Sequence, residues 1–472
     1  MESPPSDRIL PLIVATALFM ENMDSTVIST SLPAIALALG TNPLTLKLAV
    51  TSYLLSLAIC IPASGWTADR FGTRNVFRAA IGVFVLGSIG CAASHSLQEF
   101  VLARIVQGAG GAMMTPVGRL IMVRSIDKRL LVNAMSLVTI PALIGPICGP
   151  PLGGFITTYA SWHWIFLINV PIGLVGIVLA SRFIPNIRVE RPDPFDYVGF
   201  LLSGCAIAGL AFGLSAMGLD FFPTSIVASL LCGGAISAVA YLIHARRTPA
   251  PILDLNLFRF PTFRASIFGG FLFRLGIGAL PFLLPLLLQI GFHLTPFQSG
   301  LITFTTAVGS MFMKAAVASV LRRFGYRNVL LYNALISSAF LAACASFVQG
   351  MPFAAMIAIL LSGGFFRSLQ FTSINTIAYA EIEPAKMSRA TAMVAAAQQL
   401  SLSTGVAVGA RVVELTLRLK HSTTMGINDF PPAFLIVGLF SASAAFIFMR
   451  LPPDAGAELA GRKIETESNA DE

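Results

Sequence analysis

Two carboxylates and one guanidinium lie inside stretches of sequence that are otherwise apolar. Glu21 and Asp24 are three residues apart, so on a helix they share one face. In surroundings of low dielectric constant two neighbouring carboxyls repel each other, and one of them is expected to keep its proton. Arg104 lies five residues into another apolar stretch, where a charge is costly unless it is paired or hydrated. The two carboxyls could bind and release a proton, with Arg104 as the charged partner of a carboxylate; we predict that the three residues take part in proton coupling.

Three basic residues lie within apolar stretches of the second half of the chain, namely Arg274, Lys314 and Arg367. The stretches that contain them hold no acidic residue at a comparable depth. This pattern favours a basic cavity that attracts an anionic or carboxylate-bearing compound. Neutral polar residues that could line the same cavity are Gln107, Asn169, Gln289, Gln370 and Asn375.

The elements that position these residues must be suited to lipid. Of the 472 residues, 56% are hydrophobic and 11% are charged, whereas soluble domains contain about 25% charged residues. Fourteen apolar stretches are long enough to cross a bilayer as helices, at roughly 20 residues each. We therefore predict an all-α polytopic membrane protein, and we exclude a cytosolic enzyme and a nucleic-acid-binding domain.

The basic residues predict the orientation of the chain. With the N-terminus in the cytoplasm, 22 of the 31 Lys and Arg residues lie in cytoplasmic segments, as the positive-inside rule requires. The outer segments hold Lys47, Arg418 and Lys420, and the rest lie within spans. Membrane insertion thus explains the net charge of +9, and no nucleic-acid partner is needed. The even number of spans places both termini in the cytoplasm.

Cysteine and histidine offer no sign of a metal site or a catalytic centre. The six cysteines lie in apolar stretches without C-x-x-C spacing, and the five histidines are scattered near helix ends. We predict no disulfide, no metal, no cofactor and no enzymatic activity.

Plainer interpretations stay open for the charged residues. Asp24 could form purely structural hydrogen bonds with its neighbours, with Glu21 near an interface. Arg104 and Lys314 could extend towards the membrane surface. Arg274 could form a salt bridge with Glu21 or Asp24 that stabilises one conformation.

An internal repeat organises the chain. The segments 70–76 and 323–329 match at six of seven residues, at an offset of 253. Two related six-helix bundles imply a binding site at their interface near the middle of the bilayer. We expect an N-terminal bundle (1–184), a linker with an inserted two-helix hairpin (185–264), a C-terminal bundle (265–451) and a disordered cytoplasmic tail (452–472).

Several motifs resemble a known family. Gly65-x-x-x-Asp69-Arg70-x-Gly72-x-Arg74 is similar to the second-to-third-helix signature of the major facilitator superfamily, and Arg104-x-x-Gln107-Gly108 is similar to its fourth-helix motif. The segment 145–154 resembles the fifth-helix motif of antiporters. Segments 23–27 and 162–171 resemble the fourteen-helix drug:proton antiporter family, and the whole chain is similar to the MdtD-like multidrug exporters of bacterial inner membranes.

The resemblance implies roles for two of these motifs. Residues Gly65, Asp69, Arg70, Gly72 and Arg74 would form a latch that holds the cytoplasmic gate shut in the outward-open state. From the residues alone, Gly72 permits a positive φ in a tight turn, and Asp69 could pair with Arg74 or face a helix N-terminus of the other bundle. A plain basic loop is the alternative.

The second motif is rich in glycine and proline. The resemblance implies that Gly145, Pro146, Gly149, Pro150, Gly153 and Gly154 form a hinge that also seals the protein against proton leakage. Close helix packing without a hinge is the alternative, because small residues let helices approach closely.

Taken together, the sequence and the resemblance predict a proton-coupled secondary transporter with two six-helix bundles and an inserted hairpin (6+2+6). It would export small amphiphilic or anionic compounds across the bacterial inner membrane by alternating access, as a monomer. Exporters of lipophilic cations and a uniporter without proton coupling are the alternatives.

Overall fold

A computed structural model gives the structure of the protein and describes residues 5–126, 128–190, 194–217, 223–383, 386–422 and 424–460. These residues form seventeen α-helices and several single 3-10 turns. The helices of the first part of the chain are α1 (Pro5–Val27), α2 (Leu32–Ala38), α3 (Lys47–Cys60), α4 (Ser64–Phe71), α5 (Thr73–Ala92), α6 (Leu97–Ser125), α7 (Lys128–Tyr159), α8 (Trp164–Leu167) and α9 (Asn169–Phe183).

The remaining helices form a hairpin and a second group. The hairpin consists of α10 (Tyr197–Ala216) and α11 (Thr224–Arg247). The second group consists of α12 (Pro261–Leu286), α13 (Pro296–Phe324), α14 (Tyr326–Ala343), α15 (Phe353–Ile377), α16 (Met387–Leu419) and α17 (Pro431–Phe448).

Most of these helices have the length and composition of membrane spans. Twelve helical segments of the described residues are long and apolar enough to cross a bilayer. Two further long helices, α6 with 29 residues and α7 with 32 residues, lie between the third and the fourth of these segments. The prediction of an all-α chain built from many apolar helices is confirmed.

Helix ends carry the residues that their backbone geometry requires. Gly72 ends α4 with a φ of 92°, and Gly325 ends α13 with a φ of 75°. Both values lie in the region that glycine adopts without strain. At the start of α13, Thr295 and Gln298 form a reciprocal capping box, which satisfies backbone N–H groups of the first turn.

The helices pack as two groups with the hairpin between them. Helices α1 to α9 pack with one another, and so do α12 to α17. The groups meet along α7 with α13 and along α3 with α16, and α10 of the hairpin lies against both α3 and α16. Within the hairpin, Gly209 and Gly234 face each other so closely that a side chain at either position would meet the backbone of the partner helix.

Asp196 ties the two ends of the hairpin together. Its Oδ1 accepts hydrogen bonds from the N–H of Gly199 (2.8 Å) and from Nε2 of His244 (2.6 Å), and its Oδ2 accepts one from the N–H of Ile252 (3.2 Å). Burial raises the pKa of the Asp196 carboxyl, but the hydrogen bonds from Gly199, His244 and Ile252 favour the ionised form and hold the pKa below its usual value.

The two groups are joined tightly at one end, which we call the Lys47 end. There Nζ of Lys47 donates to Oε1 of Glu414 (2.6 Å), Nε2 of Gln289 donates to the carbonyl of Thr30 (2.9 Å), and the N–H of Phe297 donates to the hydroxyl of Thr158 (3.1 Å). Each of these bonds links one group to the other.

The apolar cores follow the same division. One core at the Lys47 end contains side chains of both groups, such as Leu32, Phe166, Leu284 and Phe434. Towards the opposite end, which we call the Arg70 end, the first group has its own core around Phe77 and Phe84, and the second group has separate cores. The groups therefore share buried surface chiefly at the Lys47 end.

The C-terminal segment differs from the predicted disordered tail in its first part. Residues 452–460 form hydrogen-bonded turns, and the small side chains of Ala455 and Ala460 pack against the core that contains Tyr326. Residues 461–472 lie outside the described residues, as do the other gaps in the ranges given above.

The contact between α7 and α13 at the Lys47 end depends on two glycines. A Cβ atom at Gly300 would meet the carbonyl of Pro150, and one at Gly154 would meet the carbonyl of Pro296. We expect Gly300→Val to wedge this end open. Spin labels at the exposed Leu37 and Leu419 should then report a longer distance between the groups by pulsed electron spin resonance.

Gly233→Val is the matched control, because nothing lies within 4 Å of the Cβ position at Gly233. It should leave the distance distribution of the parent unchanged. Identical distributions in Gly300→Val and the parent would contradict the role of this contact.

Candidate functional site

A buried charged cluster lies within the first group of helices, around Asp24. Asp24 on α1 is fully buried and Arg104 on α6 is 1% exposed. Oδ2 of Asp24 accepts a hydrogen bond from Nη1 of Arg104 at 2.7 Å. Oδ1 accepts from Nε2 of Gln107 at 2.8 Å and from Nδ2 of Asn169 at 3.0 Å. The structure thus brings together Asp24 and Arg104, two of the three residues predicted to take part in proton coupling.

The neutral members of the cluster hold one another in place. The Oε1 of Gln107 accepts from Nη1 of Arg104 (2.6 Å), while its Nε2 also donates to the hydroxyl of Ser88 on α5 (2.8 Å). Asn169 at the start of α9 donates to the same hydroxyl at 3.2 Å. Two helices, α6 and α9, therefore supply three donors to the Asp24 carboxylate, so its charge is compensated by the amides of Gln107 and Asn169 as well as by Arg104.

Aromatic rings and glycines complete the surroundings of Arg104. Its guanidinium carbon lies 4.1 Å from the centre of the Tyr53 ring, a distance that favours a cation–π interaction. A Cβ atom at Gly87 would meet the backbone of Gln107, and one at Gly108 would meet the carbonyl of Tyr53. These glycines let α5 and α3 approach α6 closely enough to close the cluster.

Glu21, the third predicted residue, has separate surroundings. It is partly buried, and its Oε2 accepts a hydrogen bond from the hydroxyl of Thr115 on α6 at 2.7 Å. Asp24 and Glu21 both face α6, but each carboxyl has its own partners. The predicted shared face is therefore present, without a direct carboxyl–carboxyl hydrogen bond among the described contacts.

Arg274 on α12 is a buried cation with few partners. It is fully buried, and its Nη2 donates to Oδ1 of Asn375 on α15 at 2.7 Å. The Phe371 ring centre lies 5.4 Å from its guanidinium carbon. Nε and Nη1 of Arg274 have no hydrogen-bond partner among the described residues. The alternative salt bridge with Glu21 or Asp24 is not formed in this conformation.

The other predicted cavity residues lie apart from Arg274 and Asn375. Gln107 and Asn169 belong to the Asp24 cluster, and Gln289 binds Thr30 at the Lys47 end. Gln370 donates to the carbonyl of Leu330 and accepts from Asn333 inside the second group.

The last two basic residues also differ from each other in their surroundings. Lys314 is exposed. Arg367 lines a separate, small cavity of about 20 Å³ among α12 to α15. This conformation therefore does not bring the eight predicted residues into one shared cavity.

The predicted latch lies at the Arg70 end, and its central contact differs from the expected ones. Oδ1 of Asp69 accepts from Nη2 of Arg124 at the end of α6 (2.6 Å), whereas pairing with Arg74 or with the second group was expected. Gly72 has the expected positive φ, and a Cβ atom there would meet Asn186. Arg70 is exposed, and nothing lies near the Cβ position of Gly65.

The glycine- and proline-rich motif lies within α7, which is one continuous helix. Gly145, Gly149 and Gly153 face α1, where a Cβ atom would meet Met23, Thr26 and Val27 respectively. Gly154 faces α13 of the other group. The motif thus packs α7 against two neighbours, and Pro146 and Pro150 are accommodated within the helix.

Sequence reasoning missed several contacting residues. Lys47 was assigned to an outer segment without a partner, yet it is fully buried and bonded to Glu414, whose Oε2 also contacts Arg411 at 3.3 Å. Tyr53 and Ser88 were missed as well. Hydroxyl groups inside apolar helices are common, so these residues gave no distinct signal.

Comparison with known proteins agrees with this architecture. The sequence profile of the Major Facilitator Superfamily matches residues 14–249 and 266–468. A protein of Citrobacter koseri that is named multidrug resistance protein MdtD is 39% identical to this chain. The match covers 99% of this chain and 100% of the Citrobacter protein.

Two solved structures have a similar fold. A bacterial homologue of the human lysosomal transporter Spinster aligns over 98% of this chain and 100% of its own, with a TM-score of 0.67 and 14% identity. A D-xylose–proton symporter aligns over 95% of this chain and 98% of its own, with a TM-score of 0.66 and 16% identity.

Two groups of long apolar helices, with a buried charged cluster inside the first group, define a polytopic membrane protein. The chain belongs to the Major Facilitator Superfamily and to its MdtD-like branch, as the motifs predicted. It is an integral membrane protein and a transporter rather than an enzyme.

The Asp24–Arg104 pair predicts a strong effect on stability. Arg104→Met leaves a buried carboxylate without its cation, and breaking such a pair costs about 3–5 kcal/mol. We expect that loss in the free energy of unfolding, measured by SDS titration in mixed micelles. Asp24→Asn in the same protein should restore part of it, because the uncompensated charge is gone.

Arg70→Met is the control, since Arg70 is exposed and lies outside the cluster. It should change stability little. If Arg104→Met were as stable as the parent, the pair would not be a structural requirement of the first group.

Proposed function

We propose that the chain is a proton-coupled exporter of the multidrug-efflux type that works by alternating access. The observation that carries this proposal is a fully buried carboxylate, Asp24, held by a cation and two amides in a chain 39% identical to a named multidrug resistance protein. A group that can change its charge inside the membrane is what coupling to protons requires.

The proposed architecture has fourteen spans, which are the twelve apolar segments together with α6 and α7. They form an N-terminal bundle (1–184), a linker with an inserted hairpin (185–264) and a C-terminal bundle (265–451). The excess of basic residues at the Arg70 end supports a cytoplasmic location for that end and for both termini. The membrane is the inner membrane of a bacterium, and the protein works as a monomer.

In this orientation the structure is closed to the outside. The Lys47 end would face outwards, where hydrogen bonds and a shared apolar core join the two bundles. The separate cores at the Arg70 end support a conformation that opens to the cytoplasm. Asp69, in the latch, binds Arg124 of its own bundle, as expected for a latch that is not engaged.

The proposed coupling step acts on Asp24. When the other bundle tilts away, a proton from outside reaches the Asp24 carboxyl and removes its negative charge. The hydrogen bond from Arg104 to Asp24 then weakens, because the acceptor no longer carries a negative charge opposite the guanidinium. Glu21, bonded to Thr115 one turn away, would accept a second proton. The hinge motif in α7 would let the bundles tilt while it keeps the path sealed.

Proton-driven efflux tests this step. In proteoliposomes with an imposed pH gradient, Asp24→Asn should abolish uphill substrate movement and proton flux, because Asn cannot exchange a proton. Glu21→Gln should reduce both. Glu458→Gln, a change at an exposed carboxylate, should behave as the parent.

Two outcomes would change the proposal. Uphill transport that persists in the double variant Glu21→Gln/Asp24→Asn would remove these residues from coupling. Substrate flux without any proton flux in the parent would favour the uniporter alternative.

The proposed substrates are small amphiphilic or anionic compounds. Arg274 supports an anionic group, since it is buried with two unpartnered nitrogens and without a carboxylate partner among the described residues. Lys314, Arg367, Gln289, Gln370 and Asn375 would line the path in other conformations, together with Gln107 and Asn169.

A ligand-stabilisation screen tests the substrate class. Organic acids should raise the thermal midpoint of the purified protein, and Arg274→Ala should abolish that rise. Arg389→Ala serves as the control, because Arg389 lies 3.9 Å from Asp254 and outside the proposed path. Stabilisation by lipophilic cations alone, unchanged in Arg274→Ala, would favour the cation-exporter alternative.

A further inference from the structure

An open groove runs along the outer surface of α4, α5 and α6 at the Arg70 end, and the proposed transport cycle does not use it. Its volume is about 470 Å³. Its floor consists of small residues, Ala79, Ala80, Ala109 and Gly110, and Phe71 and Val83 form exposed apolar edges. The groove therefore offers a long apolar surface that opens away from the interior of the bundle.

One basic residue, Arg188, lines the mouth of this groove. It belongs to the connector that follows α9, and the backbone on both sides of it is bonded to the loop between α4 and α5. The N–H of Thr73 donates to the carbonyl of Ile187 at 3.1 Å, and the N–H of Val189 donates to the carbonyl of Asp69 at 3.1 Å. These two bonds hold Arg188 at the groove.

Among the residues that line the groove, Arg188 is the one that carries a charge. The nearby carboxylate of Asp69 is already paired with Arg124. Glu190 is exposed, two residues beyond Arg188. An anion is thus favoured at the mouth, and a hydrocarbon chain is favoured along the floor.

We propose that this groove binds an anionic phospholipid from the membrane leaflet at the Arg70 end. One acyl chain would lie on the floor between α5 and α6, and the headgroup phosphate would contact Arg188. A soluble anion would leave the apolar floor uncovered. A zwitterionic lipid would gain less, because the cationic part of its headgroup would be repelled by Arg188.

The site would link lipid composition to the latch. The lipid contacts α5 and α6 through its acyl chain and the connector through Arg188, and the connector is bonded to the latch loop. Binding would therefore stabilise the arrangement of loop and connector that is seen in this conformation.

Native mass spectrometry of the full-length protein tests the proposal. The protein would be released from micelles that contain equimolar phosphatidylglycerol and phosphatidylcholine with identical acyl chains. We expect preferential retention of phosphatidylglycerol, and a loss of about fivefold in Arg188→Ala, as for one basic residue at a charged membrane surface. Arg188→Lys should retain most of the binding, and glycerol phosphate without acyl chains should not compete.

Two further variants make the test specific. Arg246→Ala removes an exposed basic residue far along the chain from the groove and should leave retention unchanged. Ala79→Leu fills the floor at an exposed position and should reduce retention of the lipid without lowering the thermal midpoint.

Equal retention of both lipids by the parent, or undiminished phosphatidylglycerol binding in a folded Arg188→Ala, would overturn the proposal. Because the readout is lipid binding and not transport, its failure would leave the proposed transport function unaffected.

Discussion

A carboxylate buried among apolar helices must find its hydrogen-bond donors within the protein, and the first bundle is arranged to meet this requirement for Asp24. Three donors from two other helices reach its two oxygens, at 2.7, 2.8 and 3.0 Å. Those donors could not converge if the helices were kept apart by ordinary side chains. Glycines at positions 87 and 108 remove that obstacle, because each faces the backbone of a neighbouring helix.

The second bundle does not repeat this solution. At the offset of the internal repeat, Arg274 occupies the place that corresponds to Glu21, so an acidic position has become a basic one. Asn375 satisfies one of its nitrogens and the Phe371 ring faces its guanidinium, but no opposing charge among the described residues contacts it. A buried cation in this condition is costly to maintain. The anionic ligand proposed above would supply the missing charge during part of the cycle.

The sequence predicted those features that have a local physical cause. The sequence marked Gly72 as a residue that permits a positive φ in a tight turn between helices, and its φ is 92°. Arg104 was expected to need a carboxylate, since a guanidinium in an apolar helix is costly, and Asp24 is its partner. The helical architecture followed from the same reasoning about hydrocarbon and backbone hydrogen bonds.

Contacts between distant segments were harder to anticipate. Lys47 and Glu414 are separated by 367 residues, and each looked like an ordinary charge at a helix end. Gln107 and Asn169 were predicted to line a substrate cavity, but they bind the Asp24 carboxylate. Neutral amides in apolar helices suit a cavity and a buried carboxylate equally well, so their residue types do not separate the two. Asp69 pairs with Arg124, although Arg74 is nearer in sequence, because the end of α6 returns to the loop. Only the packing of helices distinguishes such alternatives.

The contacts at the Lys47 end combine close fit with reversibility, which alternating access demands. The apolar core that the bundles share at this end joins them, and opening it exposes hydrocarbon to water. Glycines 154 and 300 add close backbone contact between α7 and α13, and the ion pair of Lys47 with Glu414 adds a polar contact. Charges removed from water lose hydration that their mutual attraction only partly restores. When this end opens, the Lys47 ammonium and the Glu414 carboxylate are hydrated again. Separating these two charges therefore costs less than breaking the pair inside a closed core. A buried ion pair is thus better suited to a contact that must form and break in every cycle than an apolar replacement of the same size.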